Sequence, residues 1–345
     1  MEIIHTSVLL NETLEWLSPE NESFADNAFM VDSTLGEGGH SFAFLNRYKN
    51  LRIIGLDADQ KIQARAKERL SCFGDRMNFH LGWFNDFYAN YPDNLPKPNL
   101  ILFDLGISVF HYERSGRGFS FRYDEELDMR LNDSEGKSAS DIVNTMREDE
   151  LANLICNYSE ERYSRRIARA IVENRQLAPI TNSKVLAQII YDCVPAPYRH
   201  GGIHPATKTF QALRIAVNAE LNRLPEALHS AFNVLQVGGK MGVITFHSLE
   251  DRIVKNTFRN WAKVCSCPPE QPICTCGGSP KVELLTRKPI GPTEEEVKEN
   301  EERALNEEKA FERFIRGVLS EERADTNLTV GDNGAVIPEK KKKKI

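Results

Sequence analysis

The sequence VDSTLGEGGH, residues 31–40, is the most informative segment of this chain. An apolar lead-in ends in an acid, a loop carries Gly36, Gly38 and Gly39, and the apolar run that follows predicts a helix. Glycine permits positive φ angles and lets the backbone approach a ligand closely, and the helix N-terminus offers unpaired N–H groups. The order strand, glycine turn and helix therefore predicts a cofactor site, although such a loop is often only a turn.

A second strand strengthens this interpretation. The segment RIIGLDAD, residues 52–59, reads as a buried strand that ends in acids, and Asp57 lies 18 residues after Gly39. In a doubly wound sheet, an acid at the end of the second strand meets the ribose hydroxyls of a nucleoside bound over the first glycine loop. The two segments together predict a nucleoside cofactor.

A third feature, the end of the predicted fourth strand, indicates which cofactor binds. The segment NLILFDLG, residues 99–106, reads as an apolar strand that ends in Asp104, and Ser108 follows closely. Nicotinamide enzymes have no general need for a carboxylate there, whereas methyltransferases that act on exocyclic amino groups place a polar acceptor at the tip of the fourth strand. We therefore predict S-adenosyl-L-methionine (SAM) as the cofactor and Asp104 and Ser108 as the catalytic residues that accept hydrogen bonds from the target amine.

Longer motifs support a specific resemblance, because they occur in the order seen in one family. The motifs are HTSVLL from His5, the glycine loop, DLGIS from Asp104, RGFSF from Arg117, LDMR from Leu127, YSEERYSRRIARAIVENR from Tyr158, HPATKTFQALRIAVNAEL from His204 and FHSLEDRIVK from Phe246. Through these motifs the chain resembles the RsmH (MraW) family from about His5 to Pro292. The resemblance implies methylation of N4 of a cytidine in the decoding region of bacterial 16S ribosomal RNA.

The resemblance also implies the cofactor contacts. These are Gly38, Gly39 and His40 at the methionine end, Asp57 at the ribose, Phe84 at the adenine, and Asp104 and His111 nearest the reaction. The sequence departs from the family at Val109-Phe110, where Ser-Pro is more usual, and at His111, where many members carry Gln. No metal is assigned. Zinc binding by Cys265, Cys267, Cys274 and Cys276 stays open, because zinc ribbons use CxxC rather than CxC spacing.

Composition agrees with a large intracellular enzyme. The chain has 345 residues with 41% hydrophobic content, which is enough for a substantial core. It has no apolar run of membrane-spanning length and no signal pattern at the N-terminus, so a cytoplasmic location without membrane association is expected. Seven cysteines, an odd number, then favour reduced thiols.

Positive charge is concentrated in one segment although the net charge is −6. From Arg162 to Arg214 nine Lys or Arg stand against two acids. Four arginines there have helical spacing and are predicted to share one helix face, namely Arg162, Arg165, Arg166 and Arg169. A solvated helix face is the plain alternative, but we predict that this face binds RNA, with 16S rRNA in the small subunit as the partner.

The order of elements predicts an α/β fold, a Rossmann-like SAM-dependent methyltransferase sheet with an inserted helical domain that recognises the substrate. The expected division is 1–111 and 211–325 for the methyltransferase domain, 112–210 for the insertion and 326–345 for a disordered Lys-rich tail. The acid-rich stretch Glu294 to Glu322 is expected to form an amphipathic helix. A homodimer is left open.

Three other classes compete with this interpretation. A nicotinamide oxidoreductase would explain the glycine loop and Asp57, but not the DLGIS motif. A DNA amino-methyltransferase would share the chemistry, but it usually carries Pro-Pro and an aromatic residue where this chain has Leu105-Gly106-Ile107. A non-catalytic nucleic-acid-binding regulator would keep the basic helix without needing an intact cofactor pocket.

Overall fold

A computed structural model describes residues 7–20, 22–200, 203–265, 267, 271, 273, 275 and 278–293, and the backbone of 311–317, 328–330 and 336–338. The central strand β1 (Phe29–Asp32) is buried at all four positions. Such a continuous apolar run is typical of a parallel strand covered on both faces by helices. The glycine loop therefore starts from the middle of the protein core.

Within the described residues, seven strands form the main sheet, in the order β3-β2-β1-β4-β5-β7-β6. The strands β3, β2, β1, β4 and β5 are parallel, and β7 runs antiparallel between β5 and β6. The strands that follow β1 are β2 (Arg52–Asp57), β3 (Met77–Leu81), β4 (Leu100–Asp104), β5 (Lys240–Thr245), β6 (Val282–Leu284) and β7 (Phe311–Gly317). This agrees with the predicted Rossmann-like sheet.

Helices cover both faces of the sheet and form a separate cluster after β4. They are α1 (Leu10–Trp16), α2 (Gly39–Arg47), α3 (Gln60–Leu70), α4 (Phe84–Ala89), α5 (Val109–Glu113), α6 (Ala139–Thr145), α7 (Glu148–Ser159), α8 (Ser164–Arg175), α9 (Ser183–Cys193), α10 (Ala196–Arg199), α11 (Thr207–Asn218), α12 (Glu220–Val234) and α13 (Ser248–Trp261). Two short 3-10 helices span Ala25–Asn27 and Ser71–Arg76. None of the helices within the described ranges is both long and apolar enough to cross a bilayer.

Three apolar cores hold these layers together. One core packs α4, α12 and α13 on one face of the sheet, and a second packs α1, α2 and α3 on the other. The third lies between α6, α7, α8, α9 and α11, and it contains the fully buried Ile155, Ile167 and Ile190. The helical segment thus has an interior of its own, as the proposed insertion requires, while its bounds of 112–210 remain a prediction.

The C-terminal part differs from the sequence expectation. The helix predicted within Glu294 to Glu322 is wrong at β7, where six consecutive backbone pairs, from Lys240–Arg316 to Thr245–Phe311, join the strand to β5. The charged residues of β7 suggested a solvated helix, but pairing with a buried sheet edge overrides such a local preference. Two further strands, β8 (Leu328–Val330) and β9 (Val336–Pro338), form a hairpin inside the tail expected to be disordered, which their β-branched residues favour.

Candidate functional site

One cleft opens at the carboxyl ends of the parallel strands. The chain register brings Asp32, Asp57 and Asp104 to this edge, because each is the last residue of β1, β2 or β4. Ligands of open α/β sheets bind at this edge. Seven of the eight residues predicted to act in catalysis or cofactor binding line the cleft: Gly39, His40, Asp57, Phe84, Asp104, Ser108 and His111.

Two glycines of this loop, Gly36 and Gly38, have different surroundings. Gly36 has a φ of +53°, and a Cβ built there would meet no atom within 4 Å. Gly38, the N-cap of α2, has a φ of +78°, and a Cβ there would lie 2.7 Å from Leu70 Cδ1. Gly38 therefore packs the turn closely against α3 and does not line the cleft. Gly36 lines the cleft, and the space beside its Cα is open.

Asp57 is oriented by two backbone donors. The N–H of Gly36 donates to Oδ2 at 2.9 Å, and the N–H of Asp59 donates to Oδ1 at 2.8 Å. Each carboxylate oxygen can accept a further hydrogen bond, as the two ribose hydroxyls of a nucleoside require. Burial, outweighing these donors, raises the pKa of Asp57 to about 7.

This raised pKa predicts that SAM affinity weakens as the pH falls through 7. Below that pH Asp57 becomes protonated and has fewer lone pairs for the ribose hydroxyls, while at higher pH the carboxylate accepts both. We expect Asp57→Asn to bind SAM more weakly by about 1.5–3 kcal/mol at pH 8. Calorimetry between pH 6 and 8 should show a steeper pH dependence in the wild type than in Asp57→Asn, and equal slopes would remove the ribose contact.

Asp104 shares its immediate surroundings with His40. Its Oδ2 lies 3.4 Å from His40 Nδ1, and its backbone N–H donates to Thr34 Oγ1 at 2.6 Å. Asp104 Oδ1 is buried and has no hydrogen-bond partner among the described residues. A buried acceptor left open at the tip of the fourth strand fits a ligand that donates a hydrogen bond.

Ser108 and His111 lie on the loop and helix that follow. Ser108 Oγ accepts the N–H of Phe110 at 3.2 Å and so caps α5. His111 Nε2 lies 3.0 Å from Asp59 Oδ2, while its buried Nδ1 has no partner in the described structure. Burial lowers the pKa of His111. His111 therefore donates from Nε2 to Asp59, and its side chain lines the cleft.

Two further parts of the site escaped the sequence analysis. The buried guanidinium of Arg117 contacts Asp59 and donates to the carbonyl oxygens of Arg130 and Leu131. Burial acts to raise the pKa of Asp59, but the hydrogen bonds from His111 and Arg117 lower it overall. These contacts join residues far apart in the sequence, so only the RGFSF motif marked Arg117 beforehand.

Phe246 is the second part of the site that the sequence patterns did not indicate. It follows β5, the strand beside β4, and lines the cleft together with Phe84. A Cβ on Gly106 would lie 2.9 Å from the Phe246 ring, so the ring packs directly on the glycine of DLGIS. The topological reasoning that selected Asp104 at the end of β4 also applies to the end of β5.

The prediction that four arginines share one helix face is confirmed only in part, and RNA binding by them stays a prediction. Arg165, Arg166 and Arg169 are exposed on α8, and Arg169 pairs with Glu148 at 3.5 Å. Arg162 precedes the helix, so the prediction that it shares the helix face is wrong. The α7 helix ends at Glu160 in a left-handed conformation, and the turn that follows places the Arg162 guanidinium over the rings of Tyr163 and Tyr198.

Glu220, His247 and Glu250 lie close enough together to suggest a metal site. However, His247 Nδ1 accepts the N–H of Glu250, so Nε2 carries the hydrogen of a neutral imidazole and has no lone pair for a metal. Both oxygens of Glu220 accept hydrogen bonds from Arg214. His247 therefore caps α13 by accepting the N–H of Glu250, and Glu220 forms an ion pair with Arg214. Of the four cysteines considered for zinc, Cys274 and Cys276 lie outside the described residues.

The site fits SAM, because a glycine turn, the carboxylate of Asp57 and the open buried acceptor of Asp104 line one cleft. Together with the antiparallel strand between β5 and β6, these features define a SAM-dependent methyltransferase. A sequence model of the MraW methylase family matches residues 2–308, and the chain belongs to that family.

Two relatives that are more than 40% identical agree with this assignment. Ribosomal RNA small subunit methyltransferase H of Treponema denticola is 60% identical over 300 residues, which cover 87% of this chain and 94% of that protein. The protein of the same name in Treponema pallidum is 41% identical over 84% of this chain and 88% of its own length. A putative methyltransferase from Streptococcus mutans, solved with SAH, covers 91% of this chain at 10% identity and a TM-score of 0.41.

Proposed function

We propose that this enzyme methylates N4 of a cytidine in the decoding region of bacterial 16S rRNA, within the small ribosomal subunit and in the cytoplasm. The observation that carries the proposal is Asp104 Oδ1, a buried acceptor without a partner among the described residues, at the tip of β4. An exocyclic amine offers the hydrogen that this oxygen lacks. The names of the Treponema relatives support rRNA of the small subunit as the substrate class.

The residues of this chain act mainly by orienting the target amine toward the methyl group, and less by removing a proton from it. SAM supplies a methyl group on a sulfonium, which is already an excellent leaving group. Asp104 accepts a hydrogen bond from the N4 amino group, which turns its nitrogen lone pair toward the methyl and stabilises the positive charge that develops there. Ser108 keeps one lone pair and its own O–H beside its capping bond, so it can make a second contact to the base.

The exposed arginines of α8 supply a surface for the RNA backbone. The side chains of Arg165 and Arg166 are exposed to solvent, and Arg169 forms an ion pair with Glu148. Arg162, held over two tyrosine rings, presents a fixed guanidinium beside them. Contacts of this kind position a nucleic acid without reading its sequence. The cleft would then receive a base from RNA held by the helical segment.

Charge reversal tests this surface. Arg165→Glu combined with Arg166→Glu should weaken RNA binding and flatten its salt dependence, because the slope is about −0.7 per neutralised phosphate for a single strand. Lys49→Glu with Lys97→Glu is the matched control, since both lysines are exposed just before β2 and β4, at the sheet edge opposite the cleft. Equal salt slopes in the two double variants would show that the α8 arginines form only a solvated face.

The substrate class separates the proposal from its alternatives. We expect the purified enzyme to transfer a labelled methyl from SAM to small-subunit particles lacking the modification, and not to double-stranded DNA. Transfer to DNA would favour a DNA amino-methyltransferase. Binding of RNA without any transfer, by a protein that also fails to bind SAM, would favour a non-catalytic regulator.

A further inference from the structure

His40 is enclosed in the first turn of α2, where only 5% of its surface is exposed. Its Nε2 lies 3.1 Å from the carbonyl oxygen of Val8, and its Nδ1 lies 3.4 Å from Asp104 Oδ2. A carbonyl oxygen can only accept, so Nε2 carries a hydrogen. A neutral imidazole has a single N–H, so a neutral His40 would point the Nδ1 lone pair at the carboxylate of Asp104.

A proton on His40 Nδ1 removes the repulsion between this nitrogen and Asp104 Oδ2. Two lone pairs that face each other away from water repel, whereas a proton on Nδ1 turns the contact into a charge-assisted hydrogen bond. The charged groups that face His40 from the neighbouring strands are Asp104 on β4 and Asp32 on β1, and both are acidic. Burial acts to lower the pKa of His40, but the hydrogen bond to Asp104 and the two negative charges raise it overall.

We propose that His40 is a positioning residue for methyl transfer, which holds a proton on Nδ1 against Asp104 Oδ2 and so keeps Oδ1 directed at the target amine. This role rests on the proposed function and adds to the cofactor contact implied by the family resemblance. This role explains why Asp104 Oδ2 contacts His40, while Asp104 Oδ1 is buried without a partner among the described residues. It also predicts that His40 acts on the rate only through Asp104.

The protonation state can be measured without any substrate. In protein labelled with ¹⁵N-histidine, NMR at pH 7 should show both ring nitrogens of His40 protonated in the wild type. In Asp104→Asn the carboxylate is gone, so His40 should lose the Nδ1 proton at lower pH than in the wild type. A neutral His40 in the wild type at pH 7, or identical titrations in the two proteins, would overturn the proposal whether or not rRNA is the substrate.

Kinetics then tests the coupling between the two residues. With SAM saturating, His40→Ala should slow single-turnover transfer by about 10- to 100-fold, and it should cost nothing further in an Asp104→Asn background. His40→Asn keeps an amide N–H near the position of Nδ1, so it should recover part of the rate. It should also lack the decline at high pH that we expect in the wild type as His40 loses its proton.

His80→Asn is the matched control, because His80 lies on β3 and does not line the cleft. It should leave the rate and the pH profile unchanged. Equal losses from His40→Ala in both backgrounds would show that His40 acts independently of Asp104. A fall in SAM affinity that accounts for the whole loss in His40→Ala would assign His40 to the cofactor alone, and either result would overturn the proposal.

Discussion

Asp104→Asn should slow single-turnover methyl transfer by about 10²–10³, or roughly 2.7–4 kcal/mol in activation free energy. The amide nearly preserves the shape of the side chain, but it removes the negative charge that faces the developing positive charge on the amine. SAM should still bind, because Asp57, Phe84 and the glycine loop are untouched. The measurement is the rate of transfer to small-subunit particles with SAM saturating.

A matched exchange at Asp75, an exposed carboxylate in the short helix before β3, controls for the chemistry of the substitution. Asp75→Asn should leave the rate unchanged. A rate for Asp104→Asn within about threefold of the wild type would correspond to well under 1 kcal/mol. That result would mean that Asp104 shapes the pocket but does not stabilise the transition state.

Glu220→Ala should lower the free energy of unfolding by about 3–5 kcal/mol, because it leaves the guanidinium of Arg214 buried without its main counter-charge. The two side chains are only 14% and 10% exposed, and two hydrogen bonds of 3.0 Å join them. Burial acts to lower the pKa of Arg214, but the charge of Glu220 raises it overall. The pair links α11, in the helical core, to α12, which packs on the sheet.

Urea unfolding measures this cost, and Glu160→Ala is its matched control. Glu160 pairs with Arg252 at 3.1 Å, but both side chains are 57% exposed, so removing that pair should cost at most about 1 kcal/mol. Similar losses in the two variants would contradict the structural role assigned to the Arg214–Glu220 pair. Both changes remove one carboxylate, so net charge does not distinguish them.

The sequence predicts the central strands and the cleft at their carboxyl ends, because the local residue patterns there agree with the tertiary structure. The strands β1, β2 and β4 are apolar runs that end in acids, and parallel pairing brings their carboxyl ends to one edge. The strand pattern therefore predicts that Asp57 and Asp104 lie on one cleft. The catalytic and binding roles given to them, and to Ser108, His40, Phe84 and His111, remain predictions.

The remaining features depend on contacts that no local pattern contains. The strand β7 exists because its backbone pairs with β5, which its charged sequence does not indicate. Arg162 has the spacing of a helix face, but a left-handed residue at Glu160 ends the preceding helix and shifts the next one. The protonated contact inferred for His40 depends on the carbonyl of Val8, which lies 32 residues earlier in the chain.

The identity of the methylated atom shows whether the enzyme acts on the exocyclic amine of cytidine. Small-subunit particles lacking the modification would be treated with the purified enzyme and SAM carrying a ¹³C methyl group, and the 16S rRNA digested to nucleosides for mass spectrometry against authentic standards. We expect the label in N4-methylcytidine, since the open acceptor at Asp104 fits an exocyclic amine. Label on C5 or N3 of cytosine, or in any other nucleoside, would contradict it.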